Sequence, residues 1–344
     1  MRTMRRIETI FKALGTANRI SVQVGESQAE DAKKALADIR NYVCDMDDRL
    51  SAFKPTSLVR RIGNAAGKEA VPVDKDTYRL LQLSERYRRM TKGAFDITIG
   101  EKSRQWREER DGRRADQSDE NSPEGNKLKR QSGSRRSAGA RTSRKELCLK
   151  ESRMKGHGPG RVAYLRNPGT QLDLGGVAKG YALDHAVKVL RDAGIEEAEI
   201  NFGGSIASIG WGQEVGIQDP FHPFKFSTQH NAFATVFCQN EILITSGIYE
   251  QQFRAANGDM SHHILDPKTG RSAKSELASV TLIGRDGALQ DALATACIIL
   301  GVEKSLELCR KHGLEAVFVL TNGRVWITEG LRGRYYRLRK EASA

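Results

Sequence analysis

The spacing of apolar residues divides the chain into extended and helical segments. Apolar and polar positions alternate over 19–24, which is typical of a half-buried strand, and then recur at helical spacing over 29–53. A short extended run at 71–73 precedes a second helical pattern, which we expect to begin near Asp76 as its N-cap. The N-terminal part of the chain therefore mixes strand and helix.

The C-terminal part continues this mixture. Strands are predicted at 161–165, 198–210, 234–239, 241–247 and 277–284, helices at about 177–193, 288–301 and 303–313, and a terminal hairpin around Asn322-Gly323. Strands and helices do not alternate strictly, so the pattern favours an α+β fold with mixed or antiparallel sheets and packed helices.

Residues 101–160 interrupt the pattern with a polar stretch that has few aliphatic side chains. The stretch holds 17 Lys/Arg against 10 Asp/Glu and so carries +7 of the formal charge of +13. Such a composition buries too little apolar surface to offset its ordering entropy, which predicts a basic, disordered insertion. Its basic run has no interleaved aromatic residues, so a solvated tether is favoured over a nucleic-acid site. Residues 1–100 and 161–335 would then form one domain, followed by a tail at 336–344.

Cysteine usage and hydropathy limit the class of protein further. The five cysteines are widely spaced without a CxxC pair, which indicates neither a disulfide framework nor a zinc site. The basic N-terminus lacks the apolar core of a secretory signal, and no window has transmembrane length without charge. We expect a cytoplasmic protein, or a periplasmic or membrane-attached one if the N-terminus is incomplete.

The stretch "LDLGGVAKGYALD" (172–184) carries the first candidate chemistry. Asp173 ends a predicted strand, Gly175 and Gly176 turn the chain, and Lys179 falls in the first turn of the next helix. Backbone N–H groups at a helix N-terminus together with an ammonium form an anion site. The stretch matches neither standard nucleotide-binding glycine motif, so a simple turn with a surface lysine is the alternative.

The segment "DALATA" places a carboxylate and a hydroxyl one helical turn apart. Asp291 and Thr295 are separated by four residues, so both side chains lie on the same face of the predicted helix. Oxygen ligands of this kind suit Mg²⁺ when backbone, water and phosphate complete the coordination. An exposed polar pair is the alternative.

The segment "SHHILDPKTG" offers a candidate base. His262 and His263 are adjacent in extended chain and point to opposite faces, so at most one of them can serve a given site. A histidine titrates near neutrality and could activate a hydroxyl nucleophile. The alternative is a structural histidine at the end of a strand.

Seven segments in this order resemble the ApbE family of FAD:protein FMN transferases. They cover nearly the whole chain outside 101–160 and the two ends, and they are "SAFKPTSLVRRI" (51–62), "GAFDITIG" (93–100), "LDLGGVAKGYALD" (172–184), "NFGGSIASIG" (201–210), "TSGIYE" (245–250), "HHILDPKTG" (262–270) and "DALATACIILG" (291–301).

The resemblance implies a two-lobed α+β fold with an FAD site in the cleft. It implies that FAD is the substrate, that Mg²⁺ lies at its pyrophosphate, and that FMN is transferred to a threonine hydroxyl of an acceptor protein with release of AMP. The acceptor would be a redox or membrane electron-transfer subunit, and the enzyme a monomer or weak dimer. Hydrolysis of FAD to FMN and AMP, and flavin binding without turnover, are the competing interpretations.

The resemblance also assigns roles by position. Asp291 and Thr295 would ligate Mg²⁺ together with the carbonyl of Ala178, Lys179 would lie near the phosphates, and His263 would be the base. The catalytic residues would be His263, Asp291 and Lys179. Besides Lys179 and His263, the residues expected to bind FAD are Ser51, Phe53, Asp96, Asp173, Gly175, Gly176, Asn201, Gly203, Gly204, Ser246 and Gly247.

Overall fold

The computed structural model of the protein describes residues 4–120, 146–152, 160–222, 232–255 and 258–338. Seven α-helices lie within these residues, and they are α1 (Ala29–Leu50), α2 (Leu58–Asn64), α3 (Lys75–Met90), α4 (Gly100–Glu120), α5 (Ala178–Asp192), α6 (Gly287–Leu300) and α7 (Val302–His312). Across the described ranges, the structure has no helix of the length and apolar character that crossing a membrane requires.

Sixteen strands accompany the helices in the described part of the chain. They are β1 (Met4–Ala13), β2 (Thr16–Gly25), β3 (Val71–Pro72), β4 (Leu147–Ser152), β5 (Gly160–Leu165), β6 (Glu197–Phe202), β7 (Ser205–Ile209), β8 (Gln213–Gln218), β9 (Ala232–Cys238), β10 (Ile242–Gly247), β11 (Gln252–Arg254), β12 (Met260–His262), β13 (Leu277–Gly284), β14 (Glu315–Leu320), β15 (Val325–Ile327) and β16 (Tyr335–Arg337).

The largest sheet has eight strands in the order β1-β2-β6-β7-β10-β13-β14-β15, and every pair of neighbours in it is antiparallel. Three smaller sheets have the orders β11-β12, β16-β9-β8 and β3-β5-β4. The predicted α+β class with antiparallel sheets is therefore confirmed. The predicted hairpin at Asn322-Gly323 is the pair β14–β15.

Helices α1, α5 and α6 supply much of the main core. Leu36, Ile39 and Val43 of α1 recur at helical spacing and are buried, as are Leu183 and Leu190 of α5. Helix α6 is buried on most sides and packs on strands β10 and β13. The residues of these helices that reach the functional site are therefore held by a rigid, close-packed interior.

Three sequence predictions need correction. The strand predicted to end at Asp173 is not formed, because residues 172–174 are irregular and Gln171 makes only an isolated bridge with Ile99. Helix α3 begins at Lys75 rather than near Asp76, because the carboxylate of Asp74 accepts hydrogen bonds from the backbone of Asp76 and Thr77 and so caps the helix. The prediction of disorder over 101–160 is wrong at both ends of that stretch, where the structure has α4 and β4. The rest of the predicted insertion, 121–145 and 153–159, and the tail beyond 338 lie outside the described residues.

Contacts with the rest of the molecule explain why α4 forms despite its polar composition. Trp106 is buried and packs against Phe253 and Leu265, and its indole Nε1 donates a hydrogen bond to Ser261 Oγ at 2.8 Å. Arg104 pairs with Glu101 and Glu108 along the exposed face. The buried Trp106 and its hydrogen bond to Ser261 thus anchor a helix whose composition alone indicates disorder.

Candidate functional site

The glycine loop that leads into α5 lies beside the segment that follows α3. The backbone N–H of Asp173 donates to the carbonyl of Ile97 at 2.7 Å, and that of Gly100 donates to Gln171 at 3.0 Å. Asp173 Oδ1 accepts from the backbone N–H of Gly175 at 2.9 Å, which fixes the turn before the helix. The N-terminus of α5 is thus held in a defined place by backbone contacts on both sides.

Helices α5 and α6 approach each other at two glycines. A Cβ added at Gly180 would lie 2.0 Å from the carbonyl oxygen of Gly287, so only glycine allows the two backbones to come this close. Asp184 on α5 accepts hydrogen bonds from the backbone N–H groups of Gly287 and Ala288, at 2.7 and 2.9 Å, at the start of α6. The register between the two helices is therefore fixed.

This crossing brings the predicted metal ligands to the N-terminus of α5. Asp291 is buried, and its Oδ2 accepts from the backbone N–H of Gly180 at 3.0 Å. Within the described residues its Oδ1 makes no hydrogen bond. One turn further along, Thr295 Oγ1 lies against the loop, only 3.0 Å from where a Cβ of Gly176 would stand. Asp291 thus bonds the first turn of α5, and Thr295 lies against the glycine loop that precedes it, so the two residues share one face of α6 as their spacing predicted.

Asp291 and Thr295 supply some of the oxygen ligands that a hard cation requires, but not all of them. Among the residues that the structure describes, no three His, Cys, Asp or Glu side chains are grouped so that they could hold a metal. A cation at Asp291 and Thr295 would therefore draw its other ligands from backbone, water or a phosphate. Ala178 is the first residue of α5 and adjoins Lys179, and its role as a carbonyl ligand stays a prediction.

Lys179 lies among carboxylates at the same helix end. The charge of Asp291, and those of Glu250 and Asp173 to a smaller degree, raise the pKa of Lys179, so its ammonium stays charged. Glu250 is partly exposed to solvent. The protein groups around it nevertheless desolvate its carboxyl and raise the pKa, although the positive charge of Lys179 lowers it. Sequence reasoning missed Glu250, although it ends the "TSGIYE" segment.

The two histidines have different surroundings. The imidazole Nε2 of His262 pairs with the carbonyl of Ala273 at 3.0 Å, which is a structural role. The imidazole Nδ1 atoms of both histidines are buried without a hydrogen-bond partner among the described residues, but only His263 lies within electrostatic range of Lys179 and Arg107. Burial and the neighbouring His262 lower the pKa of His263 to about 4, so it is neutral at physiological pH and able to accept a proton.

Helix α4 adds a residue that the sequence analysis placed in a disordered segment. Arg107 Nη2 donates to Asp173 Oδ2 at 2.7 Å, and its guanidinium carbon lies 4.1 Å from the ring centroid of Phe53. The positive charge of Arg107 is also close enough to help lower the pKa of His263. The buried Trp106 next to it was the one available signal, since an isolated tryptophan in a charged run marks an anchoring point.

Ser51 and Asp96 use their side chains in local turns. Ser51 follows the last residue of α1, and its Oγ accepts from the backbone N–H groups of Phe53 and Lys54, both at 3.1 Å. Asp96 Oδ1 accepts from the backbone and hydroxyl of Thr98. These bonds hold the segments that flank the glycine loop and the ring of Phe53.

The remaining predicted FAD-binding residues lie at one end of the large sheet. Gly203 and Gly204 form the two-residue turn between β6 and β7 with φ of 60° and 89°, which favours glycine, and Asn201 Oδ1 accepts from Gly204 N at 2.9 Å. Ser246 and Gly247 end β10, which extends past the start of β7 at this same end and leads to Glu250. A side-chain contact from these residues to Lys179 or Asp291 is not seen in the described part of the chain.

Comparison with known proteins places this chain in a family. The model of the ApbE family matches residues 14–318. An FAD:protein FMN transferase of Klebsiella pneumoniae (strain 342) is 30% identical over 291 residues, which cover 84% of this chain and 83% of that protein. An FAD:protein FMN transferase of Treponema pallidum (strain Nichols) is 29% identical, with 93% of this chain and 86% of that protein covered.

Solved structures agree with the sequence relatives. The crystal structure of the ApbE protein of Thermotoga maritima has a TM-score of 0.73 with 28% identity and covers 96% of this chain and 99% of that chain. The flavin transferase ApbE of Vibrio cholerae has a TM-score of 0.71 at 19% identity, which shows a shared fold. The chain belongs to the ApbE family, as its sequence segments predicted.

Proposed function

We propose that this protein is an FAD:protein FMN transferase, which takes FAD as substrate and joins its FMN moiety to a threonine hydroxyl of an acceptor protein. Family membership and the name carried by its relatives support the activity. Threonine as the acceptor residue and Mg²⁺ as the metal belong to the proposal.

The observation that carries the proposal is the convergence of charges at the N-terminus of α5. Asp291 and Glu250 lie close enough to Lys179 to raise its pKa, and the loop at Gly176 lies against Thr295. A charged lysine in the first turn of α5, together with the positive end of the helix dipole, favours a polyanion such as a pyrophosphate. The carboxylates favour a cation between them and that polyanion.

Asp291 and Thr295 would hold Mg²⁺, with the carbonyl of Ala178 as the third protein ligand. When bound, the ion would neutralise charge on the pyrophosphate that grows as the phosphorus–oxygen bond breaks. The protein's own contribution is to fix these oxygens on a buried helix and to keep Lys179 protonated beside them.

The reaction is a displacement at the phosphorus atom of the FMN half. The threonine Oγ forms a bond to that phosphorus, the bond from phosphorus to the bridging pyrophosphate oxygen breaks, and AMP leaves with that oxygen. The neutral imidazole of His263 takes the hydroxyl proton of the threonine. Lys179 offsets negative charge on the transferred phosphoryl oxygens.

The test uses the full chain, FAD, MgCl₂ and a candidate acceptor, a threonine-bearing subunit of a redox or membrane electron-transfer complex. Mass spectrometry should show the acceptor heavier by one FMN group, and chromatography an equal amount of AMP. A Thr→Ala variant of the acceptor is the matched control and should stay unmodified.

Other outcomes separate the competing functions. Free FMN and AMP in the presence of an unmodified acceptor would favour hydrolysis, with water in place of the threonine. FAD that stays intact while bound would leave a flavin-binding protein and overturn the proposed transfer for that acceptor.

A further inference from the structure

Helix α4 crosses the rim of the site and contacts four of its segments. Lys102 Nζ donates to the carbonyl of Pro267 at 2.5 Å, and Arg110 donates to Gln251 at 2.8 Å. Trp106 bonds Ser261, two residues before His263, and its ring centroid is 6.5 Å from that of His263. The helix is therefore part of the site, although its sequence predicts a disordered insertion.

Arg107 is the residue of α4 that joins two predicted FAD-binding residues directly. Its guanidinium lies over the ring of Phe53 and forms an ion pair with Asp173, whose carboxylate also fixes the glycine loop through Gly175. Asp173 has both carboxylate oxygens engaged as a result. The side chain of Arg107 is about three-quarters buried, with 23% of its surface exposed, so it is held in one place.

Phe53 needs such a partner because its ring is unusually exposed. Phe53 lies in the turn after α1, outside any strand or helix, and 64% of the residue is open to solvent. The guanidinium covers one face of the ring and restricts its rotation, since a planar cation stacks on an aromatic face. The rest of the ring stays open to a planar ligand.

We propose that Arg107 is a positioning residue for the flavin ring, which holds Phe53 as a stacking surface at a fixed place relative to Asp173 and the glycine loop. This inference rests on the proposed function, because it takes FAD as the ligand. The family resemblance already implies FAD at Phe53 and its phosphates near Lys179, and the inference adds Arg107 as the residue that holds the Phe53 ring against the flavin.

The test compares Arg107→Met and Arg107→Lys with the wild-type chain, using FAD and ADP as probes. Arg107→Met should weaken FAD binding roughly five- to thirtyfold, which is the range for a partly desolvated cation–π contact. ADP lacks the flavin ring, so its affinity should not change. Arg107→Lys keeps the charge beside Asp173 but not the planar stack, and we expect an intermediate loss.

A spectroscopic readout separates positioning from a general structural effect. The visible circular dichroism of bound FAD reports the surroundings of the flavin ring and should change in Arg107→Met. Arg104→Met, one helical turn earlier on the exposed face of α4, is the matched control and should leave both affinity and spectrum unchanged. In a Phe53→Leu background, Arg107→Met should cost much less, because the two residues act together.

An unchanged FAD affinity and spectrum in Arg107→Met would overturn the inference. So would equal losses for FAD and ADP with an unaltered spectrum, since Arg107 would then contact the phosphates. Failure of the proposed function gives a different result. If the wild-type chain binds FAD but transfers no FMN, the effect of Arg107→Met on FAD binding can still be measured. A wild-type chain that binds no FAD would remove both.

Discussion

Helices α6 and α4 both bring a residue to the site, and they do so from opposite compositions. Helix α6 is apolar and buried on most sides, so Asp291 is an exception among its neighbours. Helix α4 is charged along most of its length, and only Ser103 and Trp106 are buried among its described side chains. A carboxylate in an apolar helix can be recognised from the sequence as a candidate site residue. An arginine in a helix that contains several other arginines cannot be recognised in this way.

The substitution with the largest expected effect lies in α6, the helix in which the sequence predicted the metal ligands. Asp291→Asn keeps the shape of the side chain and the acceptor for Gly180 N but removes the charge that a cation needs. We expect FMN transfer to fall by at least roughly 10³-fold, with the melting temperature close to wild type. Asp192→Asn at the exposed end of α5 should transfer normally, and a comparable loss there would contradict the assignment.

Replacement of the base should come next in size. His263→Gln should lower the rate of transfer roughly 10²- to 10⁴-fold, which is the usual contribution of a general base. His312→Gln in α7 is the control. Residual transfer at the wild-type rate would assign the base elsewhere.

The pH dependence of the wild type sharpens the same assignment. A base works only when unprotonated, and burial lowers the pKa of His263 to about 4. The contribution of His263 to kcat/KM, measured as the ratio of wild type to His263→Gln, should therefore hold from neutral pH downward and fall only as the pH drops through about 4. An acidic limb near the ordinary histidine value of about 6.5 would count against a buried His263 as the base.

Glycine-to-alanine substitutions in the buried helix α5 and in the exposed helix α4 extend the comparison. Gly180→Ala would place a Cβ 2.0 Å from the backbone of Gly287, and we expect a loss of stability of about 1–3 kcal/mol and weaker transfer as α5 moves from α6. Gly112→Ala in α4 meets nothing within 4 Å and should raise stability by up to about 1 kcal/mol. Chemical denaturation measures both, and equal effects would show that the close approach is not required.

The smallest effect concerns the anchor of α4. Trp106→Phe keeps an aromatic ring but removes the N–H that bonds Ser261, at a cost of about 1 kcal/mol. If the same free energy is lost from the positioning of His263 in the transition state, transfer should slow by a factor of about five. Trp326→Phe on the exposed surface of β15 should have no effect. An unaltered rate in Trp106→Phe would separate the anchor from the base.

Local patterns were sufficient for much of the fold. Strands β2, β10 and β13, helices α1, α5, α6 and α7, and the β14–β15 hairpin follow from apolar spacing and turn residues, because neighbouring positions on one face must be buried together. Strand β1, which the apolar pattern did not predict, shows the limit of local patterns. It pairs with β2 along its whole length, and six of its ten residues are exposed, so its apolar pattern is weak.

The candidate site was predictable where residues share one element. Asp291 and Thr295 lie one turn apart on α6, and helical geometry places them on one face without further information. Glu250 and Arg107 could not be assigned in this way. Their proximity to Lys179 and Asp173 depends on how β10, α4 and α5 pack, which no local spacing reports.

By itself, the sequence determined the family, the α+β class and the residue types that a pyrophosphate and a cation require. Only the tertiary structure decided that α4 is ordered, that Arg107 meets Phe53 and Asp173, and that Glu250 lies near Lys179. The physical reason is that hydrophobic periodicity and turn preferences act over a few residues. Ion pairs, desolvation and helix crossings instead depend on groups that are distant in sequence and adjacent only after folding.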